Sequence, residues 1–110
     1  MKSYTDIEQS KVLAKILPIE SSDMGYNGVE DRDSRIIRYA RIATTMPNMD
    51  SIPCWSLAAL LDAMPPIQEL CSSTDHYYRV HCMNLFSEWH KNAIDACVEM
   101  IIKLHEEELL

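Results

Sequence analysis

The chain has 110 residues, 47% of them hydrophobic and 25% charged, which suffices for the core of one ordinary domain and is too short for several. This composition excludes collagen-like, low-complexity and wholly disordered chains. Ten Lys and Arg against seventeen Asp and Glu give a formal net charge of −7, so the average surface repels duplex DNA and anionic membranes.

The sequence gives no sign of a membrane segment or a targeting signal. No apolar run comes near the ~20 residues that span a bilayer. Residues 1–6 lack the apolar stretch of a signal peptide. We therefore expect one domain over residues 1–110 that stays in the cytoplasm, without a membrane partner.

A first helix is predicted near the N-terminus. Thr5 and Glu8 have the spacing of a capping box, in which each side chain accepts a hydrogen bond from a free backbone N–H at the start of a helix. Apolar residues follow at helical spacing, and Pro18 cannot continue the helical hydrogen bonds. The predicted helix therefore spans about residues 6–17.

The segment 19–33 has the composition of an acidic loop, with acidic residues around Gly25 and Gly28. Asp31 and Asp33 have the alternating spacing that opens a calcium-binding loop, but no third ligand and no glycine follow in register. A solvent-exposed acidic loop is therefore favoured over a calcium site.

Arginines recur at every third position of the next segment. They are Arg32, Arg35, Arg38 and Arg41. On a helix this spacing spreads them over about half the circumference, and on a strand they alternate between faces, so neither gives a compact basic stripe. Pairing with the acidic loop is favoured over nucleic-acid contact through residues 32–41. The β-branched and aromatic residues favour a strand over about residues 36–43, while a helix over 32–46 stays open.

A short helix is predicted over about residues 57–64. Ser56 supplies the cap, and Trp55 precedes it at the position from which an apolar side chain packs onto Leu60. Two prolines, at positions 65 and 66, end the helix. Trp55 is interpreted as a core residue rather than a platform for a ligand.

Residues 77–90 predict a β-hairpin. If Met83 and Asn84 form a two-residue turn, a single register satisfies both faces of the ribbon. The apolar face then carries the pairs Cys82–Leu85, Val80–Ser87 and Tyr78–Trp89, and the polar face carries His81–Phe86, Arg79–Glu88 and Tyr77–His90. Methionine is unfavourable where φ is positive, which leaves a longer loop open.

The last and longest helix is predicted over about residues 93–107, after a capping signature from Asn92 to Asp95. Its apolar side chains cover most of the circumference, which is typical of a helix buried on several sides. Either it packs centrally against the sheet, or an apolar strip is left for a second copy or a partner. The predicted interaction surface consists of Val98, Ile102 and Trp55.

Four cysteines occur without any C-x-x-C pair, which argues against zinc knuckles and thioredoxin-like sites. They are Cys54, Cys71, Cys82 and Cys97. We predict reduced thiols that pack as small hydrophobic groups, in preference to a disulfide framework. A reactive Cys54 thiol, its pKa lowered at the start of the short helix, is a further alternative without a visible partner base.

A zinc site is the other alternative for the thiols and imidazoles of residues 71–90. Its candidate ligands are Cys71, His76, His81, Cys82 and His90. Their spacing matches no ligand template, and in the hairpin register His81 and His90 lie roughly 13 Å apart, too far to share one ion. No metal ligand is therefore predicted.

Three segments of the sequence stand out together. They are Glu8-Gln9-Ser10-Lys11 with Leu13, followed by Glu20-Ser21-Ser22-Asp23-Met24; Pro53-Cys54-Trp55-Ser56-Leu57-Ala58-Ala59-Leu60-Leu61 with Met64-Pro65; and Asn92-Ala93-Ile94-Asp95-Ala96-Cys97-Val98-Glu99-Met100 with Leu104. Their order resembles a family of short uncharacterised proteins from gut bacteria of the Bacteroidetes group, their prophages and mobile elements. The P-x-W-S-L-x-A-L-L block is the most specific part. The resemblance implies a phage or mobile-element setting, and it implies no catalytic residues.

The predicted fold class is α+β, with a small antiparallel sheet, built from the hairpin and a third strand, packed against three helices. No nucleophile lies beside a recognisable base, and no glycine-rich phosphate loop occurs. We therefore expect a small non-enzymatic interaction or regulatory protein without a cofactor, which binds a protein partner or self-associates. The alternatives are a zinc-binding domain or enzyme that uses residues 71–90, and nucleic-acid binding through residues 32–41.

Overall fold

The structure, a computed structural model, describes residues 3–30, 36–42, 52–66 and 68–110. Within these ranges the elements are α1 (Ile7–Leu13), one 3-10 turn (Ile19–Ser21), β1 (Met24–Glu30), β2 (Ile36–Ile42), β3 (Ile52–Cys54), α2 (Leu57–Ala63), β4 (Gln68–Ser72), β5 (Tyr78–Cys82), β6 (Leu85–Phe86) and α3 (Ala93–Glu106). The strands form two antiparallel sheets, ordered β2-β1-β3 and β4-β5-β6. This arrangement confirms the predicted α+β fold class.

The first sheet differs from the sequence prediction in two ways. β2 confirms the strand predicted near residues 36–43, but it pairs with β1 rather than with the hairpin. β1 itself occupies part of the segment that we predicted as an acidic loop. Because β1 and β2 are neighbours in the chain, their pairing closes only a short loop, and the ladder overrides the loop composition of β1. β3 pairs with the other edge of β1, where Met24 lies opposite Cys54.

The hairpin of β5 and β6 has the predicted two-residue turn. Met83 and Asn84 have φ angles of 49° and 70°, the left-handed values of a type I′ turn. This turn matches the right-handed twist of the two strands, so methionine adopts a conformation that it otherwise disfavours. The pairs next to the turn are those predicted, Cys82–Leu85 and His81–Phe86.

Farther from the turn, the returning strand contains one extra residue. The Ser87 N–H still donates to the Val80 carbonyl at 2.9 Å. Tyr78, however, pairs with His90 through backbone hydrogen bonds of 2.7 and 2.8 Å. A β-bulge after Ser87 therefore shifts the register by one residue. The predicted pairs that are wrong for this reason are Tyr78–Trp89 and Tyr77–His90.

β4 is a strand that the sequence did not predict. It pairs with the free edge of β5, from Gln68 opposite Cys82 to Ser72 opposite Tyr78. Its five residues are half-buried or exposed, so they show no apolar alternation that would mark a strand with one buried face.

α1 begins one residue later than predicted and ends well before residue 17. Asp6 is its N-cap: the carboxylate accepts from the Gln9 N–H at 2.7 Å, and the Gln9 side chain accepts from the Asp6 N–H at 3.1 Å. This capping box replaces the one predicted at Thr5. The Thr5 side chain is buried and bonds to the Ser10 hydroxyl instead, so it does not cap the helix.

α2 and α3 begin where the sequence predicted. The Ser56 hydroxyl accepts from the Ala59 N–H at 3.3 Å, and the Asn92 side chain accepts from the Asp95 N–H at 2.8 Å. α3 packs against β5, β6, α1 and α2 and forms the centre of the hydrophobic core. The fully buried core side chains include Leu13, Trp55, Leu60, Val80, Ile94, Cys97, Met100, Ile101 and Leu104. In the described ranges, no helix combines the length and the apolar character needed to cross a bilayer.

Candidate interaction surface

The predicted surface of Val98, Ile102 and Trp55 is largely enclosed by the chain itself. Trp55 is fully buried, Val98 is 6% exposed, and Ile102 is half-buried against the core. The two strands and two helices around α3 cover the apolar circumference that had suggested a partner. Trp55 is therefore a core residue, and neither it nor Val98 presents a surface to another protein.

Hydrogen bonds join the middle and early segments that carry the family resemblance. Trp55 Nε1 donates to Ser21 Oγ at 3.0 Å. The Asp23 carboxylate accepts from the Ser56 N–H at 2.9 Å and also from the Ser56 hydroxyl. Because Ser56 caps α2, Asp23 fixes the start of that helix against the segment before β1. These motif residues have structural roles in this fold.

A second group of bonds ties α1 to the other two segments. Gln9 Nε2 donates to Asp95 Oδ1, in the first turn of α3, at 2.6 Å. The buried Thr5 hydroxyl lies 2.8 Å from the Ser10 hydroxyl and accepts from the Trp55 N–H at 3.2 Å. Buried polar groups are stable when they are paired in this way. The first, middle and last motif segments thus meet in the fold.

The four cysteines are free thiols, and three of them are buried. Burial raises the pKa of Cys97 to about 12 and also raises that of Cys82. Burial raises the pKa of Cys54 as well, although hydrogen bonds with Thr5 and its neighbours oppose the shift. The alternative of a reactive Cys54 thiol with a lowered pKa is therefore wrong, because this thiol is buried and donates to the Thr5 carbonyl at 3.4 Å. Cys71 is half-buried, and the prediction of reduced, packed thiols is confirmed for the other three.

The imidazoles and thiols considered for zinc have different surroundings. Cys82 is buried in the core. His81 stacks on Phe86 on the outer side of the sheet, and His90 bonds to Glu99 of α3. Among the described residues, no three His, Cys, Asp or Glu side chains are placed to hold a metal ion. The zinc alternative has no supporting geometry in that part of the chain.

Two predictions concern side chains outside the described part of the structure. The calcium alternative falls on Asp31 and Asp33, and the nucleic-acid alternative falls on Arg32 and Arg35 together with the side chains of Arg38 and Arg41 on β2.

Aromatic side chains and one arginine lie together on the outer side of the second sheet. We call this surface, formed by Arg79, His81, Phe86 and Trp89, the aromatic face. The His81 and Phe86 rings are stacked across the strands, with centroids 4.2 Å apart and an angle of 2° between the planes. Phe86 is 47% exposed and Trp89 is 43% exposed. The face therefore presents two large apolar rings to solvent.

Arg79 contacts both exposed rings. Its guanidinium carbon lies 4.8 Å from the Phe86 ring centroid and 4.6 Å from that of Trp89. Within the described part of the chain its Nε is buried without a hydrogen-bond partner, which is unfavourable by ~1–3 kcal/mol. Each cation–π contact at a surface contributes about 0.5–1 kcal/mol in the opposite direction. Contacts with the two rings, and not a hydrogen bond from Nε, therefore position this guanidinium.

α3 holds the aromatic face in place from behind. Lys103 Nζ donates to the Phe86 carbonyl at 2.7 Å. The Glu99 carboxylate accepts from the Glu88 N–H at 2.9 Å and from His90 Nε2 at 2.7 Å, and it pairs with Lys103 at 3.1 Å. Burial acts to raise the pKa of Glu99, but these bonds outweigh it and hold the pKa below its ordinary value. The ionised carboxylate thus fixes the segment that carries both exposed rings to the core.

The sequence indicated part of this surface. It placed His81 opposite Phe86 and put Arg79 on the same side, but it assigned that side as polar and placed Trp89 on the other. The bulge after Ser87 brings Trp89 to Arg79. An arginine, an imidazole and an aromatic ring on one side of a hairpin are the signal that pointed to this surface.

No family model, curated protein or solved structure matches the chain. The resemblance to the Bacteroidetes family stays a prediction.

Proposed function

We propose that the protein is a small non-enzymatic interaction or regulatory protein and that the aromatic face is its contact surface for another protein. The observation that carries the proposal is the exposure of Phe86 and Trp89 on a sheet, with Arg79 in contact with both. Aromatic residues and arginine are enriched where protein interfaces gain most of their binding energy. Clustered exposed apolar surface of this kind often marks an interaction site.

The support from α3 also favours binding. The bonds of Glu99 and Lys103 hold the backbone of residues 86–90 before any partner arrives. A surface that is already ordered loses little conformational entropy on association. This organisation distinguishes the aromatic face from single exposed apolar side chains such as Val12 on α1.

The partner is a second copy of the chain or a different protein. One face of a three-stranded sheet is smaller than the ~800 Å² per partner of a standard interface, so self-association through this face alone is expected to be weak. The family resemblance supports a phage or mobile-element setting, and we propose the cytoplasm as the location.

The same side-chain types stack nucleobases in proteins that bind single strands. The net charge of −7 opposes a phosphate backbone. Glu88, next to the aromatic face, is exposed and adds negative charge there. A protein partner is therefore favoured over a nucleic acid.

The test compares Trp89→Ala and Phe86→Ala with Val12→Ala, a control that removes a 44% exposed apolar side chain elsewhere. Tagged protein recovers partners from an extract of the native host, and sedimentation velocity over a range of concentrations detects self-association. We expect each face variant to weaken partner binding or self-association about 30-fold, as for an interface hot spot. The control should stay within about twofold.

Circular dichroism confirms that the variants are folded. Wild-type recovery and sedimentation in both face variants, or an equal loss in Val12→Ala, contradicts the proposal.

A further inference from the structure

Arg79 lies at the centre of the aromatic face. It belongs to β5, the middle strand of the second sheet, and its neighbour Val80 is buried in the core, so Arg79 projects from the opposite, outer side. Cys71 of β4 is its direct cross-strand neighbour, and the Phe86 and Trp89 rings contact it from the segment that begins with β6. The side chains nearest to this cation are therefore uncharged.

We infer that the Arg79 guanidinium binds a carboxylate of a different protein, carried by a segment whose apolar side chains pack on Phe86 and Trp89. A glutamate or aspartate between apolar residues has this chemistry. The inference rests on the proposed function, since it names the chemistry of the partner segment that the aromatic face receives.

The first support is a set of donors without acceptors. The Nε atom of Arg79 is buried and unpaired within the described residues. Those residues give its two terminal nitrogens no hydrogen bond and no ion pair either, and neither of these two nitrogens is buried. A guanidinium is always protonated, and the fork of its N–H groups matches the two oxygens of a carboxylate. These donors are therefore available to a carboxylate that approaches from solvent.

The second support is the way in which the guanidinium is held. Its carbon lies 4.8 Å from the Phe86 ring centroid and 4.6 Å from that of Trp89. Because the two rings fix its position before a partner arrives, binding loses little side-chain entropy. The rings are 47% and 43% exposed, so a partner that covers them also removes water from around the guanidinium. An ion pair that is shielded from water in this way is stronger than the same pair at an open surface.

The third support is the charge around the face. Glu69 lies opposite His81 on the same side of the sheet, Glu88 precedes Trp89, and both glutamates are exposed. Within the described structure neither of them pairs with Arg79. At longer range they oppose a multiply charged anion, whereas a single carboxylate gains more from direct contact with Arg79 than it loses to their screened charges. Two copies of a chain with a net charge of −7 repel each other, which favours a different protein as the source of the carboxylate.

The test is a titration of isotope-labelled full-length protein, followed by two-dimensional NMR, with the peptide acetyl-Gly-Leu-Glu-Leu-Gly-amide. The matched neutral probe carries glutamine in place of the glutamate. With the acidic peptide we expect saturable shifts of the backbone amides of residues 79–81 and 86–89 and of the Trp89 indole N–H. The neutral peptide should bind about tenfold more weakly, since it lacks the charge-assisted hydrogen bonds.

Variants of the protein test the same contact from the other side. Arg79→Gln should weaken binding of the acidic peptide about tenfold and remove the preference over the neutral one. Arg79→Lys keeps the charge but lacks the planar fork, and it should weaken binding about threefold. Glu88→Gln should tighten binding about twofold, because it removes a nearby like charge. The control Lys15→Gln removes an exposed positive charge elsewhere and should stay within about twofold of wild type.

The spectra show directly whether each variant is folded. Three outcomes overturn the inference: no saturable shift at the aromatic face, equal affinity for the acidic and the neutral peptide, or wild-type affinity in Arg79→Gln. Self-association that Arg79→Gln abolishes in sedimentation velocity would place the carboxylate on a second copy and overturn the assignment to a different protein. If the proposed function fails, Trp89→Ala and Phe86→Ala leave partner recovery unchanged. If this inference alone fails, those two variants lose the partner and Arg79→Gln retains it.

Discussion

Glu99 links α3 to the segment that carries the exposed rings, so its replacement tests whether the core holds the aromatic face. Glu99→Gln keeps the size of the side chain and removes the charge that pairs with His90 and Lys103. Hydrogen bonds to charged groups contribute ~1.5–3 kcal/mol each. The side chain is 23% exposed, so solvent screening reduces this contribution. We expect the free energy of unfolding to fall by about 1.5 kcal/mol, or about 6 °C in Tm for a chain of this length.

The loss depends on pH with a defined sign. Burial alone would raise the pKa of Glu99, but the bonds from His90, the Glu88 N–H and Lys103 hold it below its ordinary value of 4.5. The unfolded chain therefore binds the proton more tightly than the folded one. The stabilising contribution is present above the unfolded-state pKa and is lost as the pH falls through the lower folded-state pKa. The stability gap between wild type and variant should shrink as the pH falls below about 4.5.

Urea unfolding followed by far-ultraviolet circular dichroism measures both effects. Glu106→Gln is the matched control, because Glu106 is an exposed glutamate on the same helix, and we expect it to stay within about 0.5 kcal/mol of wild type. A Glu99→Gln variant as stable as wild type at neutral pH, or a stability gap of constant size down to about pH 4, would show that the ionised Glu99 carboxylate does not hold this segment.

Trp55→Phe removes the indole bond to Ser21 and leaves unfilled volume in the core, so we expect a loss of about 2 kcal/mol in urea unfolding; wild-type stability would show that the bond is dispensable. Asn84→Gly should raise stability by up to ~1 kcal/mol, since glycine adopts the positive φ of a type I′ turn without strain; a lower Tm would argue against that turn. Cys71 should be the one cysteine that reacts quickly with a thiol-specific disulfide reagent in the folded protein, and Cys71→Ser should abolish that reaction. A second fast thiol would contradict the burial of the other three.

Local signals explain which elements the sequence could predict. The starts of α2 and α3 depend on one capping side chain each, Ser56 and Asn92, and both act within their own helix. The two-residue turn depends on the pairing of strands that are adjacent in sequence. β1 and β4 could not be predicted in this way, because each becomes a strand only through a partner that the segment's own composition does not reveal. The N-cap of α1 was predicted at the wrong residue because a distant residue, Trp55, donates its backbone N–H to the Thr5 hydroxyl.

Only part of the aromatic face could be predicted from the sequence, for a similar reason. The pairing of His81 with Phe86 followed from the turn. The place of Trp89 depended on Ser87, whose hydroxyl accepts from the Val80 N–H at 2.9 Å and donates to the Glu88 carbonyl at 2.9 Å. In a regular antiparallel pair a backbone carbonyl would accept the Val80 N–H at this position. The Ser87 hydroxyl accepts it instead, and the β-bulge results. The sequence of α3 predicted apolar surface left for a partner because its pattern does not reveal how many elements cover the helix.

Site-specific photo-crosslinking in the native host tests directly whether the aromatic face contacts another protein. A photoreactive benzophenone amino acid replaces Phe86 on the aromatic face or, as the control, Val12 on α1; both native side chains are similarly exposed. We expect a discrete protein adduct, a heteromeric complex or a dimer of the chain, from position 86 and none from position 12. Crosslinks of equal yield from both positions, or a discrete adduct from position 12 alone, would show that the aromatic face is not the contact surface.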